Sequence, residues 1–168
     1  MYNFTQHQVV VQLDVDVLYL QPFDILFDAI VFSKDNPIGR NARKFILSNG
    51  LVDPTYSYNY LPRNISAFFT RDWCGSEHRY SQYSGLQGGF FVVRPDELVY
   101  NRLLDIIREG NYIPGKGEGK GWGGRGYGNQ IHGSMTIQGM MAYYYDINAT
   151  KTSVQLHRCK FNQSKYNM

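Results

Sequence analysis

The chemistry this chain can do is concentrated first in two acids, Asp14 and Asp16, which end an apolar run and are followed by another, VLYL, at 17–20. Carboxylates two residues apart on an extended chain project to the same side. The C-terminal edge of a parallel sheet is where ligands of α/β proteins bind. Two adjacent carboxylates repel each other and are costly to bury unpaired. A divalent cation relieves both penalties. Hard oxygen ligands suit Mg²⁺ or Mn²⁺, and either ion can bridge to a diphosphate. The plainer alternative is a solvated acid pair that closes a strand.

Other segments offer less. GKGEGKGWGGRGYG (115–128) holds eight glycines in fourteen residues. The phosphate-loop pattern G-x-x-x-x-G-K-[ST] is absent, because Gly121 follows Lys120, and no strand is expected to lead into the loop. The segment reads as a flexible surface loop. Its alternative is a lid over a ligand, with Lys116, Lys120 and Arg125 meeting phosphate. His7, His78, His132 and His157 show no metal spacing. Cys74 and Cys159 lack C-x-x-C spacing, and a disulfide between them requires an oxidising compartment. No serine sits in a G-x-S-x-G context. Gln138-Gly139 within a helical stretch is unremarkable by itself.

Composition sets the outer bounds. The chain has 168 residues, enough for about one domain, with 43% apolar and 18% charged residues. No stretch approaches the roughly 20 apolar residues of a membrane span, and no basic region followed by an apolar run marks a signal peptide at the N-terminus. A net charge of +3 from scattered Lys and Arg gives no nucleic-acid footprint. Fourteen tyrosines are many. Aromatic-rich chains often stack on sugars, although a core and surface that simply use Tyr explain the count equally. Asn-x-Ser/Thr sequons occur at Asn3, Asn64, Asn148 and Asn162, where chance predicts roughly one. The excess favours a secretory lumen, against the alternative of chance in an Asn-rich chain.

The elements that must position these residues alternate. The β-branched run within 8–13 predicts a buried strand, as in a parallel sheet. PFDILFDAI (22–30) predicts a short amphipathic helix with Pro22 and Asp24 near its start. Repeated Pro and Gly between 33 and 63 predict loops, with a short helix near 41–48. Residues 65–70 and GFFVV (89–93) predict strands. Pro95, Asp96 and Glu97 suit the first turn of the next helix. Val99, Leu103, Ile106 and Ile107 form its apolar face, and Gly110 its stop. A helix over 134–145 and a last strand at 152–157 complete an α/β layered fold in a single domain.

The order of three blocks carries a resemblance. LDVDVLYLQPFDILFD (13–28), with the preceding FTQHQVVVQ, resembles the D-x-D segment of glycosyltransferase family 8, the glycogenin-like family. LQGGFFVVRPDELVYNRLLDII (86–107) resembles its glycine-hydrophobic strand and Pro-led helix, and MTIQGMMAYYYD (135–146) its glutamine-glycine helix. The likeness is closest to algal- and plant-type members, in which a glycine-rich loop also precedes the Gln-Gly block. The resemblance implies a partial GT-A (Rossmann-like) fold with a mixed, mostly parallel sheet. It implies a hexosyltransferase that moves a sugar from a UDP-sugar donor, with retention, to a glycan, protein or lipid acceptor. It implies Mn²⁺ or Mg²⁺ held by Asp14 and Asp16, donor-sugar contacts from Gln87, Gly88 and Gly89, and Gln138 near the anomeric carbon. A carboxamide there stabilises positive charge but is a poor nucleophile, so front-face substitution fits better than double displacement.

Three departures qualify the likeness. Ile137 stands where the family has a sugar-binding acid. The family's C-terminal metal-binding His block has no counterpart, since His157 in LHRC does not match. The D-x-D lies at position 14, ahead of which the family carries uridine-binding βαβ units. The likeness therefore covers the central part of such an enzyme and implies an exposed sheet edge; together with the sequons it implies a secretory-lumen location, such as the Golgi. The alternative is a non-catalytic remnant that binds a glycan or protein partner.

Overall fold

The computed structural model describes residues 1–15, 21–54, 60–71, 86–115, 120–123, 137–147 and 151–161. The chain divides into two units. One comprises Met1–Thr70, Gly89–Pro95 and Thr152–Met168, and the other Arg71–Gly88 and Asp96–Lys151.

The β-branched and aromatic runs form the strands of a four-stranded sheet in the order β1-β3-β2-β6: β1 (Val10–Leu13), β2 (Ala67–Arg71), β3 (Leu86–Val93) and β6 (Ser153–Gln155). β1 pairs antiparallel with β3, from Val10 opposite Val93 to Leu13 opposite Phe90. β2 pairs parallel with β6. The Arg94 N–H donates to Ser66 O at 2.8 Å, which sets the start of β2 beside the end of β3 and makes that pair antiparallel. The α/β class read from the sequence is thus observed, with a mixed sheet.

β1 departs from the expected buried parallel strand. It is an edge strand, paired antiparallel, and all four of its residues are only half-buried. Its apolar character serves the core from one side: Val9, Val11 and Leu13 pack against a cluster that includes Leu26, Ile30, Ile46, Ile65, Phe68 and Phe90. At the opposite edge, residues 51–53 cover β6. Asp53 N–H donates to Gln155 O and His157 N–H to Leu51 O, so fewer edge groups are left to pair with another chain. Phe90 lies between Phe23, at a centroid distance of 5.1 Å, and Phe161 at 6.0 Å.

Helix α1 (Asp24–Val31) buries Leu26, Ala29 and Ile30. Helix α2 spans Pro37–Ser48, starting four residues before the expected 41–48. Pro37 and Gly39 look like breakers, yet proline is favoured in the first turn, where its missing N–H is no loss. Asn36 caps the helix by accepting from Ile38 N–H at 2.9 Å. Gly39 is there because the helix crosses the end of α1 so closely that a Cβ would lie 2.5 Å from Phe32 O. The carbonyls left open at the end of α1 are met by two arginines. Arg43 donates to Phe32 O at 2.8 Å and Arg94 to Val31 O at 3.4 Å. Arg43 is buried and also reaches Gly39 O and Arg63 O. Burial and the neighbouring Arg94 lower its pKa from an ordinary arginine value.

In the second unit, α3 (Glu97–Glu109) follows the expected signals closely. Asp96 is its N-cap, accepting from Leu98 N–H at 2.7 Å and Val99 N–H at 3.2 Å, an arrangement worth about 1 kcal/mol. Gly110 closes the helix with φ of 61°, in the left-handed region that glycine enters without strain. Leu103 and Ile106 are buried as expected, but Ile107 is half exposed, one position past the buried stripe. Short strands β4 (Tyr112–Ile113) and β5 (Gly121–Trp122) pair antiparallel. A strand therefore does run into the glycine-rich segment, against expectation. Two-residue strands leave no periodicity to read. Helix α4 (Ile137–Ala142) passes into a π-helical turn at Tyr143–Ile147. A last short helix, α5 (Arg158–Phe161), belongs to the first unit. Among the described residues no helix is long and apolar enough to cross a membrane.

Candidate functional site

Asp14 follows β1 directly. Its backbone N–H donates to Gly89 O at 3.0 Å, so the antiparallel ladder continues to Asp14. Its side chain is exposed, as is Val15 after it. The strand end thus holds one carboxylate in a set backbone position while leaving its oxygens to solvent. Asp16 lies outside the described residues. Among the described residues no group of three or more His, Cys, Asp or Glu gathers around a common point. Asp14 by itself fits a hard cation as one exposed oxygen ligand at a strand end.

Gly89 is buried in β3 on the Asp14 side of the first unit. Gln87 and Gly88 precede it on the same strand and belong to the second unit, as does Gln138 in the first turn of α4. Here the structure brings together two segments fifty residues apart in sequence. Gln138 Nε2 donates to Leu86 O at 2.8 Å. Its side chain fills the space over Gly88: a Cβ on Gly88 would lie 2.6 Å from Gln138 Cγ and 3.0 Å from Oε1. Gly88 is small because Gln138 crosses it, and the Leu86 carbonyl sets the orientation of the carboxamide. Ile137, beside Gln138, is half exposed.

That contact gives a direct prediction. Gly88→Ala must push Gln138 off its seat and break the bond to Leu86 O, costing about 1–3 kcal/mol. Thermal unfolding of Gly88→Ala, Gln138→Ala and the double variant checks it. The double variant is expected to be more stable than the two single losses sum to. Strict additivity would contradict the contact.

Of the glycine-loop cations, Lys120 is described, and its stem passes over Gly115. Lys116, Arg125, His78, His132 and Cys74 lie outside the described residues, as does the side chain of Cys159. His7 is exposed. His157 is half-buried, and its Nδ1 is buried without a partner among the described residues. Tyr144 is buried beside Asp96, and burial first, then that carboxylate, push its phenol above the ordinary tyrosine range. Two arrangements are not signalled by the sequence: the arginine pair on the end of α1, and the aromatic β4–β5 ribbon. Only the tyrosine count and the two glycines flanking Trp122 hinted at the second.

Comparison with known proteins adds no relative: no family model matches the chain, and neither a curated protein nor a solved structure matches it.

Proposed function

We propose that this chain is a divalent-metal-dependent hexosyltransferase domain that moves a sugar from a UDP-sugar to an acceptor with retention. The observation that carries the reading is the exposed Asp14 carboxylate at the end of β1, its backbone tied to Gly89 O. The ordered blocks around 13–28, 86–107 and 135–146 supply the rest. Asp14 and Asp16 would hold Mn²⁺ or Mg²⁺. Bound there, the cation supplies charge neutralisation for the diphosphate leaving group. Gln87, Gly88 and Gly89 line the donor sugar. As the resemblance implies, Gln138, whose Nε2 is held by Leu86 O, would act at the anomeric carbon, where a carboxamide dipole stabilises developing positive charge. The GT-A-like fold is part of the same proposal, supported by the mixed sheet.

Two phosphate-directed readings are separated by competition. In Mn²⁺, UDP-glucose and UDP-galactose are titrated against ADP and inorganic pyrophosphate. The transferase reading expects the UDP-sugars to bind tighter. Equal affinities would replace it with a generic metal-phosphate enzyme. Ile137 favours a second reading, a non-catalytic glycan- or protein-binding remnant, because an apolar side chain stands where the resembled family has an acid. UDP-sugar binding without any UDP release would support that remnant. A secretory-lumen location belongs to the proposal as well. Asn3 and Asn64 are both exposed, as glycan acceptors must be. A mass shift on N-glycan removal is expected, and none would contradict the placement.

A further inference from the structure

We infer that the β4–β5 ribbon is a sugar-stacking platform that takes the terminal pyranose of a neutral oligosaccharide. The inference rests on the transferase reading only for the sugar's role as acceptor. Tyr112 and Trp122 are direct cross-strand partners, so their side chains share one face of the ribbon. Their ring centroids lie 5.2 Å apart at 55°. Gly121 and Gly123 flank Trp122 with φ of 75° and 62°, so the backbone on each side of the indole adopts a form that other residues resist. Gly123 N–H donates to Asn111 O at 2.7 Å and closes the ribbon. Tyr143 supplies the third ring. It occupies the space over Gly123, where a Cβ would fall within 3.0 Å of Tyr143 Cζ and closer still to Cε2.

These rings are built in, yet they are not core. Tyr112, Trp122 and Tyr143 are each only half-buried, whereas Tyr144 and Tyr145, next along the chain, are buried. Aromatic rings that are partly covered and partly exposed suit a ligand with an apolar face and a polar rim. A pyranose has that form: its axial C–H groups lie on an aromatic face, and its hydroxyls meet the phenol groups at the edge, while Trp122 Nε1 is itself buried. The ribbon also packs against α4, the helix that carries Gln138. An acceptor seated there would be held by the same unit that orients the carboxamide.

The full chain carrying Trp73→Phe leaves Trp122 as the one tryptophan, and its emission reports on the platform. The probes are maltoheptaose, cellohexaose and β-1,4-galactotetraose, with uridine as competitor. At least one oligosaccharide is expected to shift the emission saturably. Trp122→Phe and Tyr112→Leu, followed by saturation-transfer NMR, are expected to weaken that binding about ten-fold or more. Mn²⁺-dependent UDP-sugar binding should stay unchanged in both variants. No response to any of the three oligosaccharides overturns the platform. Displacement by uridine overturns it too, because the rings would then hold a base. Loss of UDP-sugar binding in Tyr112→Leu and Trp122→Phe alike, with the fold retained, would also overturn it. Oligosaccharide binding by a chain that ignores UDP-sugars keeps the platform and removes the transferase reading.

Discussion

Asp14→Ala is expected to weaken Mn²⁺-dependent UDP-sugar binding about 100-fold or more, and Asp16→Ala to do the same. Even residues that merely orient a metal ligand cost 10- to 100-fold when removed, so loss of a direct oxygen ligand falls at or above that range. Stability should be almost untouched. The Asp14 side chain is exposed, and the hydrogen bond that places it, to Gly89 O, comes from the backbone, which alanine keeps. Such surface changes fall within about 0.5 kcal/mol. Calorimetric titration with and without EDTA, alongside thermal unfolding, separates binding from folding. Binding that survives both substitutions would remove the metal site from the proposal.

Gly39→Ala should have the largest effect on stability. In an ordinary helix interior this change is stabilising by about 0.5–1 kcal/mol. Here the sign reverses. The new methyl would sit 2.5 Å from Phe32 O, 2.8 Å from Phe32 C and closer still to Ser33 O, all of them backbone atoms that no rotamer change can move. The α1–α2 junction must open. Arg43 would then be strained in its bonds to Phe32 O and Gly39 O, which hold a buried guanidinium. Overpacking of this kind costs about 1–3 kcal/mol, and the damage to Arg43 adds to it. A net loss of about 3 kcal/mol corresponds to a Tm lower by roughly 6–12 °C in a chain of this size. An unchanged or raised Tm would mean that the junction is not packed as described.

Legibility from sequence followed signal length. Helix α3 was readable because a cap, an apolar stripe and a stop glycine agree over thirteen residues. Strand β3 was readable from its aromatic and β-branched run, although Leu86–Gly88 extend it beyond 89–93. The start of α2 was not, because Pro37 and Gly39 read as breaks when only tertiary packing explains the glycine. The β4–β5 ribbon was invisible for want of residues. At the candidate site, the place of Asp14 after an apolar strand is legible in the sequence, and that place is observed. Gln138 is marked only by the resemblance. Its seat on Gly88 and its bond to Leu86 O depend on a contact across fifty residues that no local pattern encodes. The edge position of β1 was not legible, because its apolar run by itself suggests an interior parallel strand.

Direct titration of UDP-glucose and UDP-galactose into the wild-type chain, in Mn²⁺ and again after EDTA, tests the central claim. Saturable binding that requires Mn²⁺ and disappears on chelation is the predicted result. No binding of either sugar nucleotide, or binding indifferent to the metal, would contradict a metal-dependent UDP-sugar site at Asp14 and Asp16.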